Sequence, residues 1–251
     1  MENRASWFYP VALIVLAMVV NGVAMYFEDG ICDDAAKYHT MISNWIKYGN
    51  IYHTSVDTWM ATTIPPFFLW CVKTLSQSFD LEIFSAARVL NFICGAALPL
   101  IFYYILNTFD IKKRYSLFCA VVLACHPEVV YVCTIMTRDC LYFFLVLLVV
   151  WGAVQGILKK QLWKMSAAGF IFSAAALTRY EAWEMLPCVV IFLLFALWGK
   201  YISWQRAAAN LTLFILFALA GVALLAFMME FHPEYIRVVL IRYGESLQGF
   251  F

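Results

Sequence analysis

The sequence predicts an all-α protein that crosses a membrane several times. Three observations carry this. Of 251 residues, 65% are hydrophobic and only 13% are charged, where an average soluble domain is roughly 25% charged. The apolar residues gather in runs of about 20, the length a helix needs to span a bilayer. Basic residues cluster in the short segments between those runs. A soluble globule of this size could not cover its surface with so little charge, so a soluble enzyme is excluded. With 11 Gly and 7 Pro, collagen-like and Pro/Gly-rich disordered chains are excluded as well. A net charge of +1 offers no bulk attraction to nucleic acid.

Seven spans are expected in one membrane domain covering residues 1–251: 7–27, 83–106, 115–131, 140–158, 162–178, 183–199 and 207–229. The first reads as a signal anchor, because its apolar core is long and no small-x-small site follows it. A further apolar run at 64–72 ends at Lys73 and is too short to span. With Pro65-Pro66 near its start, it predicts a half-embedded or interfacial helix. A cytoplasmic N-terminus leaves Arg4, Lys112-Lys113-Arg114, Lys159-Lys160, Lys164, Lys200 and Arg206 on the inner side, as the positive-inside rule asks. Glu2 and Asp110 are the inner acidic residues, and the other acids and all four histidines face outward. Treating 64–79 as a full span would invert everything downstream.

The first outer loop, residues 28–82, is the expected catalytic segment. Tyr38, Met41, Ile42, Trp45 and Ile46 fall at i, i+3, i+4, i+7 and i+8, one stripe of an amphipathic helix. Asp33 or Asp34 is expected to cap its start, Gly49 to close its end, and Trp45 to lie at headgroup level. The Asp33-Asp34 pair admits two readings. One is a cap whose charge complements the helix dipole. The other is a catalytic carboxylate, its basicity raised by its neighbour, or a pair sharing a divalent metal. Asp139, Glu181 and Glu184 sit at span ends, where an ionisable group is costly and more often functional. The eight cysteines contain no CxxC pair, so a thiolate metal site is not expected. Residues 235–242 suggest another interfacial helix, or a frayed end.

Six pieces in order resemble the C-type glycosyltransferase superfamily, which includes protein O-mannosyltransferases and the aminoarabinose transferases of lipid A. They are Asp34-Ala35-Ala36-Lys37-Tyr38, running on to Gly49; Ile64-Pro65-Pro66-Phe67-Phe68; Ala87-Arg88-Val89-Leu90-Asn91; His126-Pro127-Glu128; Thr137-Arg138-Asp139; and Leu177-Thr178-Arg179-Tyr180-Glu181. The resemblance implies a polyprenyl-phosphate-linked sugar as donor, a lipid, glycan or protein hydroxyl as acceptor, and inverting transfer on the extracytoplasmic side. A bacterial cytoplasmic membrane is the expected location. Position by position it implies Asp34 as the base, with Asp33 as the alternative, and Asp139 as the second acid. A divalent ion (Mg, Mn or Zn) bridging Asp34 and Asp139 is a further expectation. Arg88, Arg138 and Arg179 are implied as the cations that meet the leaving phosphate, since guanidinium forks suit phosphate oxygens. Tyr38, His53, Lys73 and Glu181 are supporting candidates.

The sequence departs from the pattern at two places. Ile64 stands where relatives often carry His or Lys, with His53 or Lys73 as substitutes, and Tyr180 stands where they carry Pro. Relatives are also longer, so a partner chain or a further C-terminal half is expected to complete the site. Two rival readings are a transporter or flippase for lipid-linked sugars and a non-catalytic subunit of the same architecture. The first lacks the internal repeat and midplane charges that transporters show. The second is favoured by Ile64 and by the short length.

Overall fold

The computed structural model describes residues 2–28, 32–49 and 64–229. Among these it is helical throughout, with no strand. The helices are α1 (Glu2–Phe27), α2 (Asp33–Tyr48), α3 (Phe67–Phe79), α4 (Ile83–Thr108), α5 (Lys113–Ala124), α6 (Pro127–Thr134), α7 (Asp139–Leu158), α8 (Leu162–Ala176), α9 (Met185–Trp198) and α10 (Trp204–Met228). A 3-10 turn, Tyr180–Glu184, leads into α9.

Among the described residues, five segments are long and apolar enough to cross a membrane: Trp7–Phe27, Ile83–Thr108, Asp139–Leu158, Tyr180–Trp198 and Trp204–Met228. The expected span at 115–131 is instead a bent pair, α5 and α6, meeting at 53°. Counted as one crossing, it makes six. The bend has a local cause. Pro127 supplies no amide hydrogen and its ring clashes with the carbonyl four residues back. It also pushes His126 to an extended conformation, φ −70° and ψ 122°. The expected span at 162–178 is the shorter α8, 15 residues ending at Ala176.

α4 is the hub of the bundle, with α1, α3, α5, α6 and α7 packed around it. α7 lies between α4 and α8, and α8 packs most closely on α10. The α8–α10 seam depends on two glycines. A Cβ on Gly169 would strike the Phe214 carbonyl, and one on Gly221 would strike the Ser173 hydroxyl. The order of these contacts makes α8 and α10 parallel, as two helices joined through an antiparallel α9 must be.

α2 and α3 form a separate layer at one end of this bundle. Ala35, Tyr38, Met41, Ile42 and Trp45 are buried, which matches the predicted stripe except at its end, where Ile46 is 38% exposed. The stripe is covered by protein: the Tyr38 and Phe68 rings meet edge to face at 5.7 Å, and Lys73 Nζ lies 4.6 Å over the Trp45 ring. Trp45 is thus packed inside the chain rather than presented outward. Gly49 closes α2 at φ 70°, its amide donating to Trp45 O at 3.0 Å. The expected cap is corrected. Cys32 is the N-cap, with no side-chain cap hydrogen bond, and Asp33 and Asp34 are the first two helical residues, where carboxylates still favour the dipole. α3 begins directly after Pro65-Pro66, as predicted, and at 13 residues is too short to span.

Candidate active site

Three chain segments distant in sequence converge at the α2–α3 end of the bundle. The first is the bend 135–138 between α6 and α7. Asn91, buried in α4, fastens it by donating from Nδ2 to Ile135 O at 2.8 Å and to Thr137 O at 3.0 Å. Cys140 Sγ, in the first turn of α7, lies 3.3 Å from the Asn91 carbonyl oxygen of α4. The second is the start of α2, where Cys32 Sγ reaches Met136 O at 3.5 Å. The third is the turn after α8. The Phe67 amide donates to Leu177 O at 2.9 Å, which joins the Pro65-Pro66 turn to the residues just ahead of Arg179. Without these cross-links the charged residues would sit on independent loops.

Asp139, the first residue of α7, accepts from Thr137 Oγ1 at 3.0 Å on one oxygen and pairs with Arg179 Nη1 through the other. Arg179 also forks onto Glu181, with Nη2 to Oε1 at 2.8 Å and Nε to Oε2 at 3.2 Å. Its guanidinium lies 5.6 Å over the Tyr142 ring. Hydrogen bonding to Glu181, then the charges of Asp139 and Glu181, raise its pKa against the opposing effect of burial. All three guanidinium nitrogens of Arg179 are therefore engaged by carboxylates.

Asp34 is more open, its side chain 53% exposed, with Lys37 Nζ at 2.9 Å and the Tyr38 hydroxyl at 3.5 Å. Tyr38 is buried, and that burial pushes its pKa upward; Arg138 opposes the shift, while Asp34, Asp139 and Cys32 add to it. The Tyr38 hydroxyl thus lies within electrostatic reach of both aspartates and of Arg138. Arg138 also acts on Glu181. Its Nη1 is buried and has no hydrogen-bond partner among the described residues.

The sequence-predicted residues are thereby sorted. Asp34, Tyr38, Arg138, Asp139, Arg179 and Glu181 come together. Arg88 hydrogen-bonds the Met25 and Glu28 carbonyls, closing the end of α1. Lys73 sits over Trp45. His53 and the 235–242 helix lie outside the described residues, as does the side chain of Asp33. Among the described residues no group of three or more His, Cys, Asp or Glu side chains could hold an ion. Asp34 and Asp139 are each met by a cation, Lys37 and Arg179 respectively. Asn91, Thr137 and Cys32 position the site and were not anticipated in that role. The sequence signal for Asn91 is its place at the end of the Ala87-Arg88-Val89-Leu90-Asn91 piece, one helical turn after Arg88.

A helical multi-pass chain with carboxylates and guanidinium groups gathered at one end fits a membrane glycosyltransferase of the C-type class, and the family match supports that class. More particularly, the chain belongs to the dolichyl-phosphate-mannose-protein mannosyltransferase family, whose model matches residues 63–229. The match covers α3 to α10, with Arg138, Asp139, Arg179 and Glu181, and begins after α2 and Asp34. No curated protein matches the chain.

Proposed function

We propose that the chain transfers a sugar, mannose by its family, from a polyprenyl-phosphate carrier to a hydroxyl acceptor. The acceptor belongs to a lipid, glycan or protein on the extracytoplasmic side. The observation that carries this reading is the unequal engagement of the three arginines. Arg88 closes α1 and Arg179 is filled by Asp139 and Glu181, while Arg138 keeps a buried donor open beside Tyr38 and Glu181. A leaving phosphate gains negative charge in the transition state, and a preorganised donor held away from water is what stabilises it.

In this mechanism the Asp34 carboxylate takes the proton of the acceptor hydroxyl. The acceptor oxygen attacks the anomeric carbon, the bond from that carbon to the phosphate oxygen breaks, and the lipid phosphate departs toward Arg138. One displacement inverts the configuration. Arg179 and Thr137 hold Asp139 in place at the wall of the site. The membrane arrangement that goes with it has seven crossings, with α8 and the bent α5–α6 pair counted, and with α2 and α3 at the outer surface of a bacterial cytoplasmic membrane. The basic inner loops support that orientation.

The test is transfer by the purified full chain in lipid nanodiscs, using polyprenyl-phosphate mannose and a hydroxyl acceptor. Asp34→Asn is expected to lower turnover by about 10²-fold or more, the lower range for losing a general base. Asp33→Asn is expected to leave turnover within a few fold. Undiminished transfer by Asp34→Asn removes Asp34 as the base.

A further inference from the structure

Two buried thiols lie directly behind the bend that carries Thr137, Arg138 and Asp139. Cys133 occupies the last turn of α6 and Cys140 the first turn of α7, both essentially without exposure. Their sulfurs are 2.9 Å apart, too close for two thiols packed as ordinary hydrophobes. The backbone around them is equally tight. A Cβ on Gly95 would meet both Cβ and Sγ of Cys133 at 2.9 Å, so α4 presses on the pair from one side. Asn91, one turn away on α4, holds the two carbonyls of the bend between them.

We propose that Cys133 and Cys140 are a disulfide-forming pair that closes this bend. A disulfide needs its sulfurs at about 2.03 to 2.05 Å, so closure requires less than ~1 Å of movement from the observed contact. The bond forms by exchange with a disulfide-bearing oxidant, a thiol oxidoreductase or oxidised glutathione. One thiolate attacks the oxidant's disulfide to give a mixed disulfide, and the second displaces the remaining thiol. Two S–H bonds and one oxidant S–S bond are exchanged for one protein S–S bond and two oxidant S–H bonds. Burial of both sulfurs places that exchange before α4, α6 and α7 close over them, and shields the finished bond from reductants. The bond ties the residues flanking Arg138 and Asp139 to one another, so that the site loop is held covalently as well as by Asn91. The inference rests on the reading that this end of the bundle lies outside the cytoplasm, where disulfides persist.

The test counts thiols on the full chain, acid-quenched from membranes, denatured and alkylated with N-ethylmaleimide before or after reduction. Six alkylations without reductant, eight with it, and a linked peptide joining 133 to 140 are expected. Cys133→Ser should give seven adducts with or without reductant, while Cys119→Ser should still lose two adducts without reductant. Eight adducts without reductant, or a link from either cysteine to Cys94 or Cys71, overturns the proposal. Impermeant-reagent labelling of a cysteine introduced at Glu82 reports the side separately. Eight thiols with an outward-facing end removes the bond alone, and eight with an inward-facing end removes the bond and the orientation together. The thiol count does not depend on transferase activity.

Discussion

Arg179 and Asp139 stand 40 residues apart in the chain and share an ion pair where α7 begins and α8 has just ended. Their side chains are 27% and 29% exposed, so solvent screens the pair only in part. Because Arg179 forks onto Glu181 as well, it joins two acids that would otherwise repel each other across the turn.

A double-mutant cycle should expose that linkage. Arg179→Lys keeps the charge but loses the planar fork. It is expected to lower both thermal stability and turnover. The Asp139→Asn and Arg179→Lys pair should show a coupling of about 0.5 to 3 kcal/mol, read from melting of the purified chain in detergent. Strict additivity would mean that the two side chains do not interact.

Arg138 is expected to act on the donor rather than on the fold. Its Nη1 has no hydrogen bond to lose, so Arg138→Ala should cost turnover more than melting. It should lower kcat/KM for the polyprenyl-phosphate sugar by about 10-fold or more, the range for a charge-assisted hydrogen bond, with the loss falling on kcat. Arg138→Lys should recover part of that loss. A kcat/KM unchanged by either substitution would assign the phosphate to another cation.

Asn91 is read as a positioning residue, and its removal should cost stability and site geometry together. Asn91→Ala leaves the Ile135 and Thr137 carbonyls without their donor in a buried place, at a cost of about 2 to 4 kcal/mol. The expected result is a lower melting temperature and a fall in turnover. Transfer efficiency, kcat/KM for the donor, should fall as well, because Asn91 fastens the bend that carries Arg138. A variant with wild-type melting would show that the bend is held by something else.

Tyr38 sets a limit at alkaline pH. Burial raises its pKa in the folded chain, so the unfolded chain releases this proton first. Its contribution to stability is complete below the unfolded value of about 10 and declines as pH rises past it. Melting of the wild type should therefore fall more steeply above about pH 10 than melting of Tyr38→Phe. Parallel slopes would show that the hydroxyl is not shielded. Between pH 5 and 9 the hydroxyl stays protonated and should add no step to the activity profile.

Much of this architecture is legible in the sequence where a local rule governs it. Pro65-Pro66 marks the start of α3, Gly49 the end of α2, and the 3.6-residue spacing of Tyr38, Met41, Ile42 and Trp45 the buried face. Rules of one segment fail where a second segment decides. Asp33 and Asp34 are good capping residues, yet Cys32 takes that position and its sulfur reaches the bend at Met136. Residues 115–131 are continuously apolar, and hydropathy does not register the backbone donor missing at Pro127. The site's outline was visible as acids and arginines at span ends. Which arginine is filled and which is open depends on contacts across 40 or more residues, and no spacing pattern records that.

The brevity of α8 has a consequence for depth. Its 15 residues rise about 22 Å at 1.5 Å each, against a hydrocarbon thickness of about 30 Å. In the proposed seven-crossing arrangement, with the Lys159-Lys160 end held at one hydrocarbon boundary, Arg179 would lie several ångströms short of the other. The floor of the charged cluster would then be a recess within the bilayer's outer margin, not a platform above it. A carrier lipid would present its phosphate there without being lifted from the headgroup layer, and the proposed acceptor would have to travel down to the lipid.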